Sequence, residues 1–118
     1  MDLQHVRKVI IYGDHFWKFY HKQNQKTKDK INWTIKLVQT LDRIPEKYFK
    51  HIVETTLYEM RILVGSNIFR VLCFFDKGML VVVLNGFQKK SQKTPKREIQ
   101  LALKLQTQYY DEKESNNH

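Results

Sequence analysis

Apolar positions change their period once along the chain, and the change separates a helical first half from a sheet. Val9, Ile10, Ile11 and Tyr12 form a short β-prone run that Gly13 ends, with Asp14 placed to cap a helix. In that helix Phe16, Phe19 and Tyr20 share a core-facing stripe, while Lys18, Lys22 and Lys26 face solvent. Asp29 is expected to cap a second helix whose stripe is Ile31, Ile35, Val38 and Leu41, running to Ile44 before Pro45 stops it. The two make a helical hairpin. Tyr48, Phe49, Ile52 and Val53 then read as a short helical turn or an ordered connection.

From Leu57 the period becomes two. Strand-like runs over residues 57–64, 67–76 and 79–87 are separated by Gly65-Ser66 and Lys77-Gly78. Gly at the first central position suits a type II′ turn, whereas Asp76-Lys77-Gly78 suits either a two-residue turn or a three-residue loop with a bulge. Thr94 and Pro95 open a last helix in the N-cap and N1 arrangement, with Ile99, Ala102, Leu103 and Tyr110 on one side and Leu101 and Leu105 as a neighbouring strip. Residues 111–118 are polar and are expected to form a flexible tail. The expected fold class is α+β: one domain, residues 1–110, with an N-terminal helical hairpin on a small, mainly antiparallel sheet and a C-terminal helix.

The length of 118 residues and the 42% hydrophobic content suit a single core. Twenty-one Lys and Arg against 12 Asp and Glu give a formal charge of +9, which favours a polyanionic partner. The single cysteine, Cys73, lies in an apolar run and reads as a buried filler, so no internal disulfide is available. The longest apolar stretch, residues 79–84, is too short to cross a bilayer and the N-terminus shows no signal-peptide core; no membrane role and a cytoplasmic location are expected.

Charge placement is more informative than charge total. Along the first strand of the meander Tyr58, Met60, Ile62 and Val64 point one way, Glu59 and Arg61 the other. A two-residue turn at Gly65-Ser66 pairs Val64 with Asn67 and so sets Arg61 across from Arg70 on one face. Like charges in that relation repel, so the register calls for an offsetting group, either Glu59 or a bound anion. Arg70 also interrupts an otherwise apolar run, where a charge is costly. The third strand adds a lysine to that face: Lys89 if Lys77-Gly78 is the whole turn, with Asn85 across from Arg70, or Lys90 if the loop has three residues. Lys93, Lys96 and Arg97 continue a basic segment into the start of the last helix, a favourable path for phosphates. The bland counterparts are an Arg70–Glu59 ion pair that fixes register and a solvated basic loop.

Other chemistries lack support. The five histidines are scattered outside the charged face, with His51 the nearest candidate, and no Cys/His cluster, carboxylate group or phosphate-cradling glycine loop is present, so no metal or cofactor is expected. The aromatics are mainly expected in the core, which leaves little room for base stacking.

The ordered set Leu57-Tyr58-Glu59-Met60-Arg61, Asn67-Ile68-Phe69-Arg70-Val71, Gly86-Phe87-Gln88-Lys89-Lys90 and Lys93-Thr94-Pro95 resembles the HigB branch of the RelE/ParE toxin superfamily. The resemblance covers about half the chain, from Leu57 to Tyr110. It implies a RelE-like fold and the toxin of a type II toxin-antitoxin pair: an endoribonuclease that cuts mRNA, commonly in the ribosomal A site, and is neutralised by a helix-turn-helix, HigA-like antitoxin. The same resemblance implies Arg70 as transition-state stabiliser, Arg61 as phosphate-positioning group, Lys89 or Lys90 as charge stabiliser or acid, and Glu59 as base or arginine organiser. No motif position supplies the histidine or tyrosine used by some relatives. Two other readings compete: a ParE-like toxin that poisons gyrase, and a noncatalytic RNA-binding module whose cations only neutralise phosphates.

Overall fold

The period-two half of the chain builds the centre of a five-stranded sheet, and the helices cover both of its faces. A computed structural model describes residues 4–116. The elements are β1 (Lys8–Ile11), α1 (His15–His21), α2 (Gln25–Thr40), β2 (Phe49–His51), β3 (Leu57–Val64), β4 (Asn67–Asp76), β5 (Leu80–Lys89) and α3 (Lys96–Ser115). The strand order is β1-β5-β4-β3-β2, with β1 parallel to β5 and every other pair antiparallel. This is the α+β arrangement expected of a RelE-like fold.

One sheet face, carrying Met60, Ile62, Phe69, Val71, Cys73, Val81 and Val83, packs under Phe16 and Phe19 of α1 and Ile31 and Val38 of α2. The approach is closest at Gly86, where a Cβ would lie 2.5 Å from the Phe19 ring; glycine lets the aromatic rest on the strand backbone. The opposite face buries Leu57, Leu72, Phe74, Val82, Leu84 and Phe87 under Ala102 and Leu105 of α3. This second core occupies much of the face expected to be charged, and the charges are confined to one end of it. Cys73 is fully buried, and burial raises its thiol pKa, as suits a filler.

Several local expectations are corrected. Asn24, not Asp29, caps α2, its side chain accepting from the Thr27 N–H at 2.8 Å, while Asp29 sits within the helix and accepts from Gln25. The helix ends at Thr40 rather than Ile44, because the Arg7 guanidinium crosses its C-terminus and donates to the Val38, Leu41 and Asp42 carbonyls. Phe49–His51 is an edge strand rather than a helical turn: its backbone pairs with β3, Phe49 opposite Met60. On α3 the buried side is Ile99, Ala102, Leu105 and Tyr109, whereas Leu103 and Tyr110 are exposed. The helix also continues through the polar stretch expected to fray. Lys113 reaches the buried Asp76 carboxylate at 2.7 Å and Glu112 accepts from the Tyr12 hydroxyl at 2.7 Å, which ties residues 111–115 to the sheet. The last two tail residues, 117–118, lie outside the described residues.

Candidate anion site at the end of the central strands

The β3–β4 hairpin closes through Gly65 at φ +60°, and Val64 pairs with Asn67, so Arg61 stands directly opposite Arg70. The side facing β5 reaches its register by another route. Asp76 pairs with Leu80 across the three-residue loop Lys77-Gly78-Met79, which alone would set Lys90 beside Arg70. A bulge follows: Cys73 pairs with Val83 and Leu72 with Asn85, so Leu84 is an extra residue and the register moves by one. Phe87 then faces Arg70, and Lys89, opposite Ile68, joins the arginine face. Asn85 pairs with Leu72 rather than Arg70.

Glu59 holds the cluster. Its Oε1 is 3.5 Å from Arg61 Nε, its Oε2 is 3.5 Å from Arg70 Nε, and Oε2 also accepts from the Thr94 hydroxyl at 3.3 Å. The carboxylate and Arg70 are both buried, while Arg61 is half-buried. The Arg70 contact is an ion pair without hydrogen-bond alignment, because its buried Nε makes no hydrogen bond in the protein. Among the described residues its Nη1 donates to the adjoining Phe69 carbonyl at 3.2 Å. A guanidinium has five donors, so Arg70 retains capacity for an external acceptor. Burial lowers the Arg70 pKa and Arg61 adds to that effect, while Glu59 works against it. Lys89 is also shifted down, first by burial and then by Arg70 and Arg61, against the pull of Glu59. Three cations thus share one carboxylate.

Arg61 and Arg70 line an open cleft of about 240 Å³ together with Lys47, Leu63 and Ile68. Asn85 donates to the Glu98 side chain at 3.2 Å and to its carbonyl at 3.3 Å, docking the first turn of α3 beside the cluster. Lys90, Lys93, Lys96 and Arg97 are exposed along the chain that leads there, and Arg97 pairs loosely with Glu98 at 3.8 Å. Thr94 serves Glu59 rather than capping α3, whose N-cap is Pro95.

Residues 18–107 match the family described as Phage derived protein Gp49-like (DUF891). The chain belongs to the Gp49-like family. This is a family of RelE/HigB-like toxins of toxin-antitoxin systems, so an antitoxin partner is implied. No curated protein matches the chain. The stretch that carries the Gp49-like match includes the whole charged cluster.

Glu59, Arg61, Arg70 and Lys89 are brought together, and Lys90, Lys93, Lys96 and Arg97 are not part of their contacts. His51 is excluded by register: it pairs with Tyr58 on the opposite face, and its Nε2 lies 2.6 Å from the Thr55 carbonyl. Tyr109 serves helix packing, with its hydroxyl on Asp76 at 2.7 Å. Lys47 and Thr94 belong to the site but were not foreseen; Lys47 enters because β2 brings its loop alongside β3. Trp33 is an exception to the expected burial of most aromatics: it is 42% exposed and lies against the half-buried Tyr48. No described helix is long and apolar enough to cross a membrane.

Proposed function

We propose that this Gp49-like protein is a HigB-type mRNA endoribonuclease acting in the ribosomal A site, with a helix-turn-helix antitoxin as its partner. The observation that carries the reading is the register pairing of Arg61 with the buried Arg70, both on Glu59, at an open cleft. Glu59 offsets only one of the two arginine charges, and a scissile phosphate supplies a further anion.

RNA brings its own nucleophile. The 2′-hydroxyl gives up its proton to solvent water and attacks the adjacent phosphorus in line, the bond to the 5′-oxygen breaks as that oxygen takes up a proton, and a 2′,3′-cyclic phosphate and a 5′-hydroxyl result. The phosphoryl oxygens gain charge on the way, and cations already fixed in a partly dry site stabilise that charge without reorganising. Arg70 stabilises the transition state and Arg61 positions the phosphate. Lys89, with its proton held less tightly than in an ordinary lysine, protonates the departing 5′-oxygen. Glu59 acts as organiser of the arginines, because both carboxylate oxygens are already committed to Arg61, Arg70 and Thr94. Lys90, Lys93, Lys96 and Arg97 track the flanking backbone. None of these steps needs a metal ion.

Incubation with mRNA in a cell-free translation extract, followed by analysis of the fragment ends, tests the proposal. The expected products carry a 2′,3′-cyclic phosphate on the upstream fragment and a 5′-hydroxyl on the downstream one. Intact RNA, or products with 5′-phosphates, would contradict it.

A further inference from the structure

The arginine cleft is one end of a longer track. Two further clefts adjoin it: Leu63 lines all three, Arg61 and Lys47 line the first two, and Lys30 lines the last two. The track wraps around the β3 edge, where β2 begins only opposite Met60 and leaves Leu63 58% exposed. Its far end is a groove of about 490 Å³ that holds the Trp33 indole beside Lys26 and Lys30.

Aromatic rings and cations alternate along it. Tyr48 meets Trp33 edge-to-face, with centroids 5.3 Å apart at 79°. Lys30 Nζ lies 4.2 Å from the Trp33 ring centre, and Lys47 Nζ lies 4.9 Å from that of Tyr48. Trp33 falls outside the α2 stripe of Ile31 and Val38 that enters the core, so core packing does not account for it. The one carboxylate in the groove, Asp29, accepts from Gln25 at 2.7 Å.

We propose that this track is a subsite for single-stranded RNA, in which a base flanking the scissile phosphate stacks on Trp33 while Lys30 and Lys47 meet the neighbouring phosphates. The placement of the scissile phosphate rests on the nuclease reading; the stacking and the cation track are independent of catalysis. An exposed cation–π contact is weaker than stacking of a base on indole, and the lysine stem is flexible, so Lys30 yields the ring face and follows the phosphate. Charge favours RNA over a protein occupant, because Lys26, Lys30 and Lys47 surround Trp33 and Leu63.

The test is fluorescence anisotropy of a short labelled single-stranded RNA with the intact protein, Trp33→Ala, Trp33→Phe and Trp17→Ala, the last being equally exposed but outside the track. Trp33→Ala should bind about 10-fold more weakly, and Trp33→Phe should recover most of the loss. Trp17→Ala should bind as the intact protein does. An abasic site moved along the RNA should reproduce the loss at one position and add nothing to it in Trp33→Ala. Equal binding by Trp33→Ala and the intact protein overturns the subsite, even if Arg70→Ala abolishes cleavage and so upholds the nuclease reading. Trp33-dependent binding without cleavage upholds the subsite and removes the nuclease. An intact protein that binds no RNA overturns it, as does a Trp33→Ala protein that keeps RNA but loses the antitoxin.

Discussion

Replacing Glu59 by Gln keeps the shape of the side chain and the Thr94 contact while removing the charge between Arg61 and Arg70. The Glu59 and Arg70 side chains are 10% and 7% exposed, and truncating one partner of such a buried pair costs about 3–5 kcal/mol. The 3.5 Å separation without hydrogen-bond alignment, and the open cleft beside it, place the loss near ~3 kcal/mol. The Arg61 contact, 29% exposed, adds ~0.5 kcal/mol. A domain of this size has about 5–15 kcal/mol of stability, so Glu59→Gln should fold. Equilibrium urea unfolding should show a lower midpoint with an unchanged slope. Added phosphate should stabilise Glu59→Gln more than the intact protein, since an anion can replace the missing carboxylate. A second change, Arg61→Gln, should return about 1 kcal/mol by removing the repulsion. A loss under ~0.5 kcal/mol with no response to phosphate would refute the claim that Glu59 organises the arginines.

Three further outcomes follow from the same structure. Gly86→Ala drives a Cβ into the Phe19 ring and should lower stability by about 1–3 kcal/mol in thermal unfolding, with Phe19→Leu relieving part of the loss. With Lys89 as the acid, cleavage is supported below its folded pKa and lost as pH rises through it; the alkaline limb should fall below the ordinary lysine value of 10.5, and Lys89→Met should be slow without that limb. Burial pushes the Asp76 pKa up, but hydrogen bonds from Lys113 and Tyr109 and the charges of Lys113 and Lys77 outweigh it, so the folded carboxyl is held below its usual value. Its stabilisation is therefore present above the unfolded pKa of ~3.9 and lost as pH falls through the folded value; Asp76→Asn should cost ~2 kcal/mol at neutral pH and progressively less in acid.

The pairing of Arg61 with Arg70 was legible because Gly65-Ser66 fixes a two-residue turn, and period two then carries the count inward without error. The choice between Lys89 and Lys90 was not legible, although a lysine on that face was. The three-residue loop and the Leu84 bulge each shift the register by one, and together they restore the face that a two-residue turn would give. Nothing local in Leu84-Asn85 announces a bulge. The second core under α3 was hidden because Leu57, Leu72 and Phe87 share a face with Glu59 and Arg70, and alternation shows the face but not which part a helix covers. β2 is not visible in the sequence pattern because Tyr48, Phe49, Ile52 and Val53 fit helical spacing, whereas pairing to the open edge of β3 decides the backbone. Lys47 is hidden with it, because it lines the cleft only once β2 is paired to β3.

Whether Arg70 cuts mRNA on the ribosome can be read by primer extension on one mRNA in a cell-free translation system, with the intact protein, Arg70→Ala and a reaction without ribosomes. New 5′ ends should arise at discrete positions with the intact protein and ribosomes, vanish with Arg70→Ala, and be absent without ribosomes. Undamaged RNA in every reaction, or the same breaks with Arg70→Ala, would contradict that role.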